Sequence, residues 1–127
     1  MKLVTYSNSG HLEQRVGLVV HDSVLDLLSL IASAGAEHAH EYAPLVAALS
    51  DPCHSPMLGL LQAWERVWPH LLSVSRSADR MAAEPIPSPV IHAPIPRPTS
   101  MRDGYAFRQH VEAARRNRGV PMIEEFD

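Results

Sequence analysis

Arg15-Val16-Gly17-Leu18-Val19-Val20-His21-Asp22-Ser23-Val24-Leu25-Asp26-Leu27-Leu28-Ser29-Leu30-Ile31 holds the passage from strand to helix on which the fold turns. Arg15 to Val20 is aliphatic and β-branched and reads as a strand. His21-Asp22-Ser23 makes a tight turn, after which Val24-Leu25-Asp26-Leu27 returns as a second strand. At Asp26 the period changes. Leu27, Leu28, Leu30 and Ile31 cluster at helical spacing, and Asp26 is placed to cap that helix by accepting from a first-turn amide.

Upstream, Leu3-Val4-Thr5-Tyr6 is β-favouring and leads into the turn-forming Ser7-Asn8-Ser9-Gly10, so the first 27 residues predict a small antiparallel meander. Downstream, a second helix is expected from about Glu41 to Leu49, ended by Ser50-Asp51-Pro52. A third is expected from about Met57 to Ser75, with Leu58, Leu61, Trp64, Val67, Trp68, Leu71 and Leu72 on one broad stripe. Pro69 inside it should kink or split the helix, because proline removes a backbone donor and crowds the preceding turn. Trp64 and Trp68, one turn apart, are expected to serve core or interface packing.

Between Glu84 and Thr99 prolines are dense, which blocks helix and favours extended backbone. This stretch predicts a stiff connector lying along a surface, with a short edge strand near Val90 to Ala93. Beyond it, Ala106 to Asn117 is expected to be a helix with Phe107, Val111 and Ala114 as its apolar stripe, stopped by Gly119 and Pro121. The residues from Met122 to Asp127 offer no terminating element, and the chain is expected to be interrupted there. The expected architecture is α+β: a β-meander with three to four helices over residues 1–83, a proline-rich connector over 84–99, and a new unit beginning at 100–127.

Composition bounds the function. The chain has 127 residues, 46% of them hydrophobic, enough for a core, and a formal net charge of -3, which argues against nucleic acid as a partner. A single cysteine, Cys53, cannot form an internal disulfide, and a cytoplasmic setting is expected. The opening Met1 to Tyr6 has only a short apolar run and no stretch offers the ~20 clean apolar residues of a membrane span, so a soluble protein without a secretory signal is expected. His11, His21, His38, His40, His54, His70 and His92 are scattered, without the spacing of a zinc module, and read as surface or helix-end residues. There is no glycine-rich phosphate loop and no nucleophile elbow.

The one dense polar constellation is Arg102-Asp103-Gly104-Tyr105-Ala106-Phe107-Arg108-Gln109-His110. On a continuous helix Asp103 and His110 would lie about two turns apart on nearly the same face. A carboxylate there can bind a hard cation and the imidazole can act as a general base near neutral pH. A capping aspartate and an ordinary helix histidine account for the same spacing.

The segment from Pro96 to Gly119, with its Arg-Asp-x-Tyr-x-Phe-x-Gln-His core, resembles the entry to the catalytic domain of fumarylacetoacetate hydrolases. Lys2-Leu3-Val4-Thr5-Tyr6, Arg15-Val16-Gly17-Leu18-Val19 and Asp26-Leu27 are similar to the N-terminal module of bacterial members. The resemblance implies that residues 100–127 begin a larger β-rich catalytic domain. It implies a divalent cation, Mg2+ or Ca2+, held by acidic side chains, with a histidine activating water to break a carbon–carbon bond of an acylpyruvate or other 1,3-diketo acid.

On this resemblance Asp103 is expected as a metal ligand, His110 as the general base, and Tyr105 as a substrate contact. Arg115, Arg116 or Arg118 is expected to bind the substrate carboxylate. The complete form is expected in aromatic amino-acid breakdown, as a homodimer or paired with a catalytic half. The family's Glu-x-Glu pair is not matched by Glu124, Glu125 or Asp127, so this chain alone is expected to be inactive. The alternative expectation is a non-catalytic interaction or regulatory module that pairs with a full-length relative.

Overall fold

The computed structural model describes residues 1–52, 54–101 and 107–123. It is an α+β structure in which a curled four-stranded antiparallel sheet is packed by helices. The strands are β1 (Lys2–Ser7), β2 (Arg15–Val20), β3 (Ser23–Asp26) and β4 (Val90–Ile91), in the spatial order β3-β2-β1-β4. The meander therefore forms as its sequence predicts, and the edge strand falls within the proline-rich stretch.

The turn between β2 and β3 explains how so short a hairpin closes. His21 and Asp22 both have positive φ, 45° and 63°, while Val20 pairs with Ser23. That is the pattern of a two-residue primed turn, whose twist matches that of the strands it joins. Register then sorts the side chains. Leu3, Val16, Leu18, Val20 and Leu25 point toward the helices, whereas Tyr6, Arg15, Gly17 and Asp26 share the opposite face.

Among the described residues five α-helices follow: α1 (Leu27–Ser33), α2 (Ala43–Leu49), α3 (Pro56–Gln62), α4 (Trp64–Ser77) and α5 (Arg108–Asn117). Asp26 caps α1 as expected, its side chain accepting from the Ser29 amide. The second helix starts at Ala43 and not at Glu41, because Pro44 favours a helix start there. Leu27, Leu30, Leu45, Leu60, Val67, Leu71 and Val74 fill the core beneath the sheet.

The long helix expected from Met57 to Ser75 is broken, but at Ala63 and not at Pro69. Ala63 has φ -94° and ψ 12°, closing α3 and opening α4, while Pro69 sits inside α4. Proline is tolerated because Glu65, whose carbonyl loses its partner, lies on the solvent side with Pro69. The break redirects the apolar stripe. Val67, Leu71 and Val74 enter the core, whereas Leu61, Trp64 and Trp68 remain 41%, 36% and 39% exposed.

The connector is sewn to the sheet at both edges. The Ile86 amide donates to the Val24 carbonyl on the β3 side, and Leu25 bridges Pro85. On the other side β4 pairs with Tyr6 and Ser7, the His92 amide donates to the Thr5 carbonyl, and the Thr5 hydroxyl donates to the Pro94 carbonyl at 2.7 Å. Ser7 Oγ lies 2.9 Å from His92 Nε2. Pro85, Pro87, Pro89 and Pro94 cannot donate, so β4 is a poor template for a further strand.

Among the described residues, no helix is long and apolar enough to cross a membrane.

Candidate functional site

α5 begins at Arg108, with Phe107 as its N-terminal boundary in extended conformation, φ -123° and ψ 135°. The expected helix from Ala106 is therefore shortened. The continuous helix on which Asp103 and His110 would share a face is interrupted at Phe107. Phe107 also leaves the expected apolar stripe, since it is 74% exposed, whereas Val111 is fully buried. Asp103 and Tyr105 lie outside the described residues, as do Glu124, Glu125 and Asp127.

His110 lies in the first turn of α5 with its residue exposed. The arginines gather at the other end. Gly119, with φ 68°, donates its amide to the Arg116 carbonyl, and the Val120 amide donates to the Arg115 carbonyl. This paired closure requires the left-handed residue that glycine supplies. It turns the chain back so that Arg115 Nε donates to the Pro121 carbonyl. Arg115 and Arg116 then line a shallow groove of about 320 Å³ with Glu112, Val120 and Met122. Positive charge at a helix C-terminus is favourable in itself, because unsatisfied carbonyls concentrate there.

Of the expected site residues, the structure thus brings Arg115 and Arg116 into one groove. Neither His110 nor Arg118 is among the described residues lining it. A carboxylate-bearing ligand could be held by the two guanidinium groups, with Glu112 opposing a second negative charge. Among the described residues no group of three His, Cys, Asp or Glu side chains converges as a cation site would require.

The densest buried polar cluster lies elsewhere. The Asp26 carboxylate is 3% exposed and accepts from four donors. Tyr6 Oη donates to Oδ2 at 2.8 Å, while Arg15 Nη2, the Ser29 amide and the Ser29 hydroxyl donate to Oδ1 at 2.9, 2.8 and 2.8 Å. Gly17 makes this possible. A Cβ there would stand 2.5 Å from Val24 Cγ1 and 3.2 Å from Tyr6 Cδ1, so the bare backbone leaves room for the phenol ring. The sequence revealed Asp26 only as a cap. The signal for the rest was the meander register, which sets Tyr6 opposite Arg15 and Gly17 opposite Asp26.

Burial raises the Tyr6 pKa well above its ordinary value of 10.0, and the hydrogen bond to Asp26 and that carboxylate's charge raise it further. The unfolded chain therefore loses this proton at lower pH than the folded one. Stability from Tyr6 is fully present below about pH 10 and declines as pH climbs above it, by up to about 1.4 kcal/mol per unit. Urea midpoints taken from pH 8 to 11.5 should fall steeply above 10 in the native chain and less steeply in Tyr6→Phe. Equal slopes would mean that Tyr6 does not govern alkaline unfolding.

The remaining histidine–carboxylate contacts are isolated pairs, two of them three residues apart in sequence and one joining the β2–β3 turn to the segment after α4. His21, His38 and His54 lie 3.0, 3.3 and 3.0 Å from Asp79, Glu41 and Asp51 respectively. All three pairs are at or near the surface, where such contacts are worth little.

No family model, no curated protein and no solved structure matches this chain.

Proposed function

We propose that this chain is the N-terminal portion of a fumarylacetoacetate-hydrolase-family protein acting on acylpyruvate or 1,3-diketo acids in the cytoplasm. The observation that carries the reading is the Arg102-Asp103-x-Tyr105-x-Phe107-x-Gln109-His110 run, which leads into α5 with His110 exposed in the first turn. The arginine groove at the far end of α5 supports a carboxylate-bearing substrate.

A divalent cation, Mg2+ or Ca2+, would supply polarisation of the diketo oxygens when bound. The chain's own contribution is the His110 imidazole, which takes a proton from the attacking water, and Asp103 as one oxygen ligand. Tyr105 and one of Arg115, Arg116 and Arg118 orient the substrate. One aspartate leaves a hard cation mostly to water, and on this reading a catalytic half supplies the further acidic ligands.

A second reading, a non-catalytic module that docks on such a half, is favoured by the exposed Leu61, Trp64 and Trp68.

The experiment measures acylpyruvate hydrolysis with Mg2+ or Mn2+, and with EDTA as control. It uses the chain alone and mixed with a separately produced catalytic half carrying the Glu-x-Glu pair. The expected result is no metal-dependent turnover alone and EDTA-sensitive turnover in the mixture, reduced roughly 100-fold or more by His110→Ala. Binding without turnover would select the docking module. Absence of binding would remove the family reading.

A further inference from the structure

The face of α4 turned away from the core carries Trp64, Trp68 and Leu72, spaced four residues apart along one ridge of the helix. The tryptophan rings stack against each other with centroids 5.1 Å apart and planes inclined at 34°. Both remain more than a third exposed although they are the chain's only tryptophans. Such a pair is costly to leave in water.

Charge marks the two ends of this ridge with opposite signs. Glu65 lies beside Trp64 at the start of α4, and Arg76 continues the ridge at its end. They are separated by about three turns and so project from nearly the same side. Both are exposed, and neither has an ion-pair partner among the described residues.

This arrangement is self-complementary. When the helix is turned through a twofold axis and laid antiparallel on its own image, Glu65 of each copy meets Arg76 of the other. Trp68 and Leu72 then lie nearest the axis, and the helix dipoles oppose favourably. A parallel pairing would set Glu65 against Glu65 and Arg76 against Arg76. We infer that α4 is a homodimer interface in which a second copy of this chain covers the Trp64–Trp68–Leu72 ridge, with reciprocal Glu65–Arg76 pairs fixing the antiparallel direction. The inference does not need the catalytic reading, but it competes with the docking of this same ridge on a catalytic half: a chain that stays monomeric leaves the ridge to that partner.

Sedimentation velocity over a concentration series tests it, with tryptophan emission followed in parallel. Because no tryptophan lies outside the ridge, emission reports this surface alone. The expected result is a concentration-dependent dimer whose formation shifts emission to shorter wavelength. Glu65→Arg should weaken it roughly tenfold or more. Adding Arg76→Glu to Glu65→Arg should restore affinity to within about threefold of native, since the pairs are reformed with signs exchanged. Trp68→Ser should abolish it, with circular dichroism checking that the chain still folds. Should that variant unfold, the two charge variants, both at exposed positions, still decide the question. A monomer throughout the series, or a dimer indifferent to Glu65→Arg, would overturn the proposal. So would a dimer that forms without an emission change.

Discussion

Asp26→Ala is expected to lower the stability of the fold by about 3–4 kcal/mol, a large share of the ~5–15 kcal/mol that holds a typical domain together. Three losses combine. The first is the helix cap on α1, worth ~1 kcal/mol. The second is the partner of the Tyr6 phenol, which is fully buried and would be stranded at about 1–3 kcal/mol. The third is the ion pair with Arg15. Breaking a fully buried pair costs about 3–5 kcal/mol, but the Arg15 side chain is 35% exposed and can recover water, so only part of that applies. Asp26→Asn keeps one carbonyl oxygen, enough for the cap and the Ser29 hydroxyl, but it sets an amide nitrogen against Tyr6 where Oδ2 accepted, and it removes the charge, so it should lose less than Asp26→Ala without being neutral. Urea unfolding with an unchanged m-value measures both. A loss below about 1 kcal/mol in Asp26→Ala would show that the four bonds are not cooperative in holding the sheet to α1.

Gly59→Ala is expected to be nearly as damaging, although alanine is the better helix former by ~1 kcal/mol. A Cβ at this position would stand 2.3 Å from the Ala48 carbonyl oxygen. The obstacle is backbone, which no rotamer change can move. α2 and α3 must separate, loosening Leu45, Leu49, Met57 and Leu60 where they meet in the core. The net loss should be about 2–3 kcal/mol by urea midpoint. A neutral or stabilised Gly59→Ala would mean that the two helices do not cross at this contact.

These two residues also show how far the sequence could be read. The meander was legible because alternation and turn chemistry act locally, over Leu3 to Tyr6, Arg15 to Val20 and Val24 to Leu27. The α1 cap was legible for the same reason. Gly59 carried no local sign of its role, since the contact that requires it comes from Ala48 on another helix. Pro69 was misleading in the opposite sense. Its rule concerns a lost bond, and that loss is mild where Glu65 and Pro69 face water. The break at Ala63 follows from how α3 and α4 pack, which periodicity alone does not contain.

For the candidate site the division is sharper. The Arg-Asp-x-Tyr-x-Phe-x-Gln-His run could be picked out from residue types and spacing. Its geometry depended on a continuous helix, and Phe107 interrupts it. The groove formed by Arg115 and Arg116 arises from the reversal at Gly119. The stop at Gly119 was readable, but the Arg115 contact with the Pro121 carbonyl that folds the chain back was not.

The strap that closes the sheet has a consequence in time. Thr5 meets Pro94 and Ser7 meets His92 across sequence separations of 89 and 85 residues. β1, β2 and β3 can pair as soon as the first 26 residues are available. The outer edge of β1 must wait until α1 through α4 have been synthesised. Because the entropy of closing a loop grows only logarithmically with its length, the delay costs the finished fold little stability. It does cost speed, since such distant pairings are slow to find. The prolines between Pro85 and Pro94 hold the arriving segment extended, which restricts the wrong shapes it can try. On a growing chain, the strand made first is the one completed last.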